Sequence, residues 1–165
     1  MAKKIKTQAM RVLEAHKIEY ELHLFPDTIH DAVEVAAQIG LPPEQVFKTL
    51  VLLREDVSNA HPLIVMVPAN HEIDVRQLAH AVGAKAVRMA GHDQAEKLTG
   101  LKVGGISALA LLNRPFDMYL DESATNFERI AVSGGQRGVD LLLKVSDLLE
   151  LTRTQLVQAT RPKHD

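Results

Sequence analysis

The segment PEQVFKTLVLL (43–53), followed by REDVSNAH (54–61) and PLIVMV (62–67), sets the architecture. Two short apolar runs rich in Val, Leu and Ile flank a polar, turn-forming stretch from Asp56 to His61, a pattern that predicts an antiparallel β-hairpin. A helical turn after the prolines leads into the first run, and Lys48 stands at its entrance. A lysine there either snorkels its ammonium to the surface or points into a cleft where a phosphate or a developing negative charge needs it. Thr49 beside it is either a good strand former or a hydroxyl donor.

Working outward, Thr7 to Lys17 reads as an amphipathic helix with Ala9, Val12, Leu13 and His16 on one face. Tyr20 to Phe25 alternates as a strand ended by Pro26, and Asp31 to Ile39 as a helix with Val33, Ala36 and Ala37 inward, stopped by Gly40. Beyond the hairpin, Asp74 caps a helix with Gln77 three residues on, a capping-box spacing, and Gly83 ends it. Ala84 to Met89 reads as a strand and Gly91 to Gly100 as a polar helix. Strands then follow at 116–120, 129–133 and 139–143, with a final helix from Ser146 or Asp147. The rhythm is too irregular for a doubly wound sheet. It predicts a mixed or largely antiparallel sheet, curled toward a partial barrel, with helices outside. Residues 161–165, RPKHD, read as a frayed tail on a single domain spanning 1–165.

The stretch TGLKVGGISALALL (99–112) reads as a buried strand interrupted by Gly104 and Gly105. Glycine weakens a strand interior unless a turn, a bulge or a ligand needs close access to the main chain. Either a tight bend or an approaching ligand explains the pair.

Composition narrows the chemistry. With 165 residues and 46% hydrophobic content, the chain can bury a core without staples. The absence of cysteine excludes disulfides, a thiol nucleophile and thiolate metal sites. A formal charge of -2 argues against bulk electrostatic binding of nucleic acid. Lys3, Lys4, Lys6 and Arg11 form either a small basic patch or a solvated helix end. The N-terminus lacks the apolar region of a signal peptide, and no apolar run reaches a spanning length; a cytoplasmic location is expected. The eight histidines show no metal-ligand spacing. Ser107 does not complete a nucleophile elbow. The glycine-rich loop SGGQRG (133–138) is either a hairpin turn or an anion-binding concavity.

Three stretches together, VFKTLVLL (46–53), TGLKVGGISALAL (99–111) and VSGGQRGVDLLL (132–143), resemble the signature blocks of the YbaK/EbsC family in order and over nearly the whole chain. The resemblance implies an α/β fold with a mixed sheet or partial barrel surrounded by helices. It implies a free-standing aminoacyl-tRNA deacylase, related to the editing domain of bacterial prolyl-tRNA synthetases, that hydrolyses the ester of mischarged tRNA. Cys-tRNA(Pro) is the implied substrate, because pockets discriminate poorly between side chains of similar size and a second site is the remedy. By the same likeness Lys48, Gly104 and Gly105 are catalytic: the lysine holds the phosphate of the terminal adenosine or nearby charge, and the glycine N–H groups receive the ester oxyanion. Losing one such donor typically costs about 3 to 4 kcal/mol. Phe25, His30, Thr49, Ser107, Ala108, Ser133 and Gly134 form the implied substrate-binding set. No cofactor or metal is implied, and no side chain is an obvious base; a water or the substrate's own groups serve. Implied partners are tRNA(Pro) and prolyl-tRNA synthetase, with neither membrane nor DNA. Two departures bear on specificity: Ala108 stands where many members have proline, and His30 stands where the YbaK branch is associated with an aromatic residue. A deacylase with another amino-acid specificity and a noncatalytic module that binds tRNA or a synthetase are the alternatives.

Overall fold

The computed structural model describes residues 5–163. The hairpin forms as expected: β2 (Phe47–Arg54) pairs antiparallel with β3 (Leu63–Pro68), placing Lys48 opposite Val67 and Leu52 opposite Leu63. β3 is buried along its whole length. Each of its large apolar side chains contributes roughly 1.5–3 kcal/mol by leaving water, which makes this strand the centre of the structure.

Around the hairpin a five-stranded mixed sheet runs β5-β2-β3-β6-β9, where β5 is Val87–Met89, β6 is Asp117–Asp121 and β9 is Gln155–Val157. β5 is antiparallel to β2, whereas β6 is parallel to β3 and β9 to β6. A second, fully antiparallel sheet runs β1-β8-β7, from Tyr20–Leu24, Val139–Lys144 and Arg129–Ser133. The two sheets are linked by a parallel bridge between Val46 and Ala131, and by Gln45 Nε2 donating to the Arg129 carbonyl at 2.9 Å. The arrangement is open rather than a closed barrel.

Layering follows from strand alternation. Phe47, Val51, Ile64 and Met66 meet Ile130, Val132, Leu141 and Leu143 in the main core, which α1 (Gln8–Ala15) covers with Ala9, Met10 and Leu13. The opposite face of the larger sheet packs on α3 (Val75–Val82) through Leu78 and Ala79. The opposite face of the smaller sheet packs on α2 (Ala32–Ile39) through Ala36. Asp74 caps α3 and Gly40 and Gly83 end their helices in left-handed conformations, as expected, while Thr7 and Asp31, read as the first helical residues, prove to be N-caps whose side chains accept from the first turns. α4 (His92–Thr99) and α5 (Val145–Thr152) complete the helices.

Several expectations are corrected. Residues 99–112 form no strand; they make a turn, then a 3₁₀ turn over Leu109–Leu111, because the loop buries its apolar side chains without a ladder partner. Met10, not Val12 or His16, lies on the buried face of α1, and Val35 joins Ala36 on that of α2. Arg161 and Pro162 are not frayed: β10 (Thr160–Pro162) pairs with β4 (His71–Ile73), and Arg161 bonds Glu72 at 2.8 Å. Strands this short carry too little periodicity to be read from sequence. Lys6 pairs with Glu14, which removes it from the postulated basic patch, and Lys3 and Lys4 lie outside the described residues.

Candidate active site

The cavity lies where the first residues of β2 meet the start of β8 and the 102–105 turn, and it encloses about 290 Å³. Its wall is mostly apolar, with Phe25, Ile29, Val35, Phe47, Val103 and Ile106 contributing. Six of the residues singled out from the sequence line it: Lys48, Thr49, Gly104, Ser133, Phe25 and, at the exposed rim, His30.

Lys48 is half-buried, and its ammonium donates to the Ala69 carbonyl at 3.3 Å. Burial lowers its pKa, the like charge of Lys163 lowers it further, and Asp31 and Glu72 oppose the shift. The lysine is thus not snorkelled into open water. Thr49 Oγ1 is buried with no hydrogen-bond partner among the described residues. An unmet buried hydroxyl calls for an explanation, and a polar ligand is one.

Lys102 to Gly105 form a turn in which the Gly105 N–H donates to the Lys102 carbonyl at 2.8 Å and Gly104 has φ +93°. That is the glycine-favouring third position of a type II turn. The two glycines therefore differ in function. The N–H of Gly105 is already engaged, and a Cβ on it would come within 2.8 Å of the Arg137 backbone nitrogen, so glycine is needed there for packing. The Gly104 N–H meets no acceptor among the described residues and borders the cavity. Arg137 secures the turn from the neighbouring loop, its Nε donating to the Val103 carbonyl at 2.7 Å.

Four expected residues do not border the cavity. Gly105 supports the turn from behind. Ser107 is buried, and its Oγ accepts from the backbone N–H groups of Leu109 and Ala110, while Ala108 is a core residue. Gly134 donates its N–H to the Val139 carbonyl at 2.8 Å inside the β7–β8 hairpin. In the same loop the Gly135 N–H goes to Ser133 Oγ and the Val139 N–H to the Gln136 carbonyl. The loop is a hairpin turn that uses the Gly134 and Gly135 N–H groups internally.

Sequence reasoning missed Asp140. It pairs with His23 on one side and Ser133 on the other, lines the cavity, is 7% exposed, and has no ionic or hydrogen-bonding partner among the described residues. Burial pushes its carboxyl up to about 8. At neutral pH it is therefore mainly protonated, a hydrogen-bond donor rather than a base. The signal was present: an acid inside the apolar run VDLLL has to be accounted for, because unpaired buried carboxylates are rare. Among the described residues no cluster of three or more His, Cys, Asp or Glu is placed to hold a metal, and no helix is long and apolar enough to cross a membrane.

Comparison with known proteins adds independent findings. A family model described as "Aminoacyl-tRNA editing domain" matches residues 27–151. EbsC of Enterococcus faecalis, named as a candidate Cys-tRNA(Pro)/Cys-tRNA(Cys) deacylase, is 36% identical over 94% of this chain and 93% of its own. A proline–tRNA ligase of Shouchella clausii is 28% identical over 64% of this chain, which corresponds to 18% of the ligase. A crystal structure of a candidate trans-editing enzyme for prolyl-tRNA synthetase superposes with a TM-score of 0.78 over 96% of this chain and 99% of that one, at 24% identity. That likeness concerns the fold.

Proposed function

The chain belongs to the aminoacyl-tRNA editing domain family, and we propose that it acts as a deacylase that hydrolyses the ester of mischarged tRNA in the cavity beside Lys48. The observation that carries this reading is one largely apolar cavity holding a half-buried cation, a neutral acid and, among the described residues, an unmet hydroxyl and an unpaired backbone N–H at its edge. Such a pocket, apolar with a few convergent polar groups, suits a small ligand whose polar atoms complete those bonds.

In this reading water attacks the ester carbonyl carbon, the carbon–oxygen bond to the terminal ribose breaks, and the ribose oxygen leaves with a proton. The Gly104 N–H and the protonated Asp140 donate to the oxygens that gain charge, and the Lys48 ammonium adds its field in a poorly screened site. Asp140 cannot accept the water's proton while it is protonated, so the base is a second water or a group of the substrate. Phe25, Thr49 and Ser133 shape the space for the amino acid, with His30 at its entrance.

Cysteine on tRNA(Pro) is the proposed substrate, in line with the name of the E. faecalis relative. Association with prolyl-tRNA synthetase and a cytoplasmic location are proposed with it, since part of the chain resembles a segment of proline–tRNA ligases. The test is release of amino acid from Cys-, Ala- and Ser-tRNA(Pro). Wild type is expected to release one of them rapidly, and Lys48→Ala to be slowed by about a hundredfold or more, as for loss of an oxyanion-stabilising group. Survival of every ester in the presence of bound protein would refute the reading and leave a binding module.

A further inference from the structure

A second cation reaches the same cavity from a distant part of the chain. Lys163, just after β10, lines the cavity beside Lys48. Its ammonium lies 3.8 Å from Asp31 Oδ1, with both side chains nearly half exposed. An exposed pair at that separation contributes little to stability, so it leaves the ammonium free to exchange Asp31 for another anion. The backbone that carries it is held firmly: the Lys163 N–H donates to the Asn70 carbonyl at 3.0 Å, and Arg161 bonds Glu72 at 2.8 Å and approaches Asp74 at 3.6 Å. The neighbouring Thr160 Oγ1 donates to Asp121 at 3.1 Å.

Two lysines converging on one cavity repel each other, and the weak Asp31 contact and the nearby charge of Glu72 offset this in part. Such a juxtaposition is stabilised by a dianionic or polyanionic ligand, and the strand of a nucleic acid carries one negative charge per phosphate. We propose that Lys163 is a substrate-positioning residue that grips a backbone phosphodiester of the single-stranded RNA end whose ester faces Lys48, with the β4–β10 ribbon delivering it. This rests on the deacylase reading. In it Lys48 acts near the reacting ester and Lys163 acts on the strand leading to it.

The test uses the full chain as wild type, Lys163→Ala, Lys163→Arg and Arg161→Ala, with charged tRNA for kinetics and uncharged tRNA for fluorescence anisotropy. Lys163→Ala is expected to raise KM about fivefold to tenfold with kcat within about twofold, and to make the dependence of log(kcat/KM) on log[salt] shallower by about 0.7, the value for one phosphate contact on a single strand. Lys163→Arg should restore both. Arg161→Ala, which loosens β10 without entering the cavity, should reproduce part of the KM effect. An unchanged KM and salt slope in Lys163→Ala, while Lys48→Ala is inactive, overturns the assignment and leaves the deacylase reading standing. A KM effect that Lys163→Arg does not rescue, with an unchanged salt slope, marks a structural tail and also overturns it. If wild type hydrolyses no charged tRNA, the deacylase reading fails. Weaker, less salt-sensitive binding of uncharged tRNA by Lys163→Ala then still supports the phosphate grip, and equal binding refutes it.

Discussion

Replacing Asp140 by Asn removes the one group whose ionisation the fold resists most clearly. In the unfolded chain its carboxyl ionises near 3.8, whereas in the folded protein burial holds it protonated up to about 8. Between those values the folded state binds one proton more than the unfolded state, so stability falls as pH rises, by at most ~1.4 kcal/mol per pH step. Below about 4 both states are protonated and above about 8 both are ionised, so the slope belongs to the interval between. From pH 5 to pH 8 the ceiling is about 4 kcal/mol, and with water entering the cavity we expect about 1 to 2 kcal/mol. Asn cannot ionise, so Asp140→Asn is expected to be the more stable protein at pH 8 and to converge on wild type near pH 4. Urea unfolding of both proteins at half-unit pH intervals measures this. Contributions from every other group cancel in the difference between the two proteins. Parallel stability curves would refute the reasoning, because Asp140 would then be ionised in the fold and paired with a group not seen here. Activity gives a second reading of the same proton: relative to uncatalysed ester hydrolysis, wild-type turnover should decline above about pH 8, and Asp140→Asn, which keeps a donor, should lose that decline.

Thr49→Val should separate function from stability: the hydroxyl has no partner among the described residues, so its removal should leave the melting temperature unchanged or raise it, yet lower kcat/KM by about tenfold, the value of one hydrogen bond to substrate. Equal kcat/KM in calorimetrically matched samples would show that Thr49 does not touch the substrate. Gly105→Ala forces its new Cβ against the Arg137 and Gln136 backbone, at 2.8 and 2.9 Å, and should cost about 1 to 3 kcal/mol in denaturant unfolding as well as most of the activity, because the Gly104 turn moves with it. Phe47→Ala, at 2% exposure between the sheets, should destabilise by about 3 to 5 kcal/mol by thermal unfolding; a loss below about 1 kcal/mol would contradict the position of the main core.

How far the sequence carried depended on periodicity and on local chemistry. The β2–β3 hairpin and the β7–β8 pair were legible as apolar runs of five or more residues bounding turn-forming stretches, and the helices by their period and stop signals. β4, β9 and β10 have three residues each and owe their conformation to partners far away in the chain, which leaves no local trace. The 99–112 stretch misled because its hydrophobicity reports burial, which a strand and a packed loop share. For the site, Lys48 stood out as a charge in an apolar run. Asp140 is the same kind of anomaly and was equally visible, yet it passed unremarked. Lys163 could not be found, since a lysine after a proline near the end of a sequence resembles any solvated tail until its strand partner is known. The separate duties of Gly104 and Gly105 depend on which N–H is already bonded, which only the folded structure determines.

The pairing of β1 with β8 has a consequence for when this protein becomes able to work. Leu24 lies opposite Val139, so Phe25 and Asp140 reach the same cavity from positions far apart in the chain. Closing a loop of that length costs about 4 kcal/mol in chain entropy on the (3/2)RT ln n scale, and the β1–β8 ladder cannot offset it until β8 exists. A nascent chain emerging from the ribosome can form the hairpin and α3 early, but its cavity has no far wall until residue 140 has been made, and no second lysine until residue 163. A ribosome stalled before residue 140 therefore carries the hairpin without a completed site.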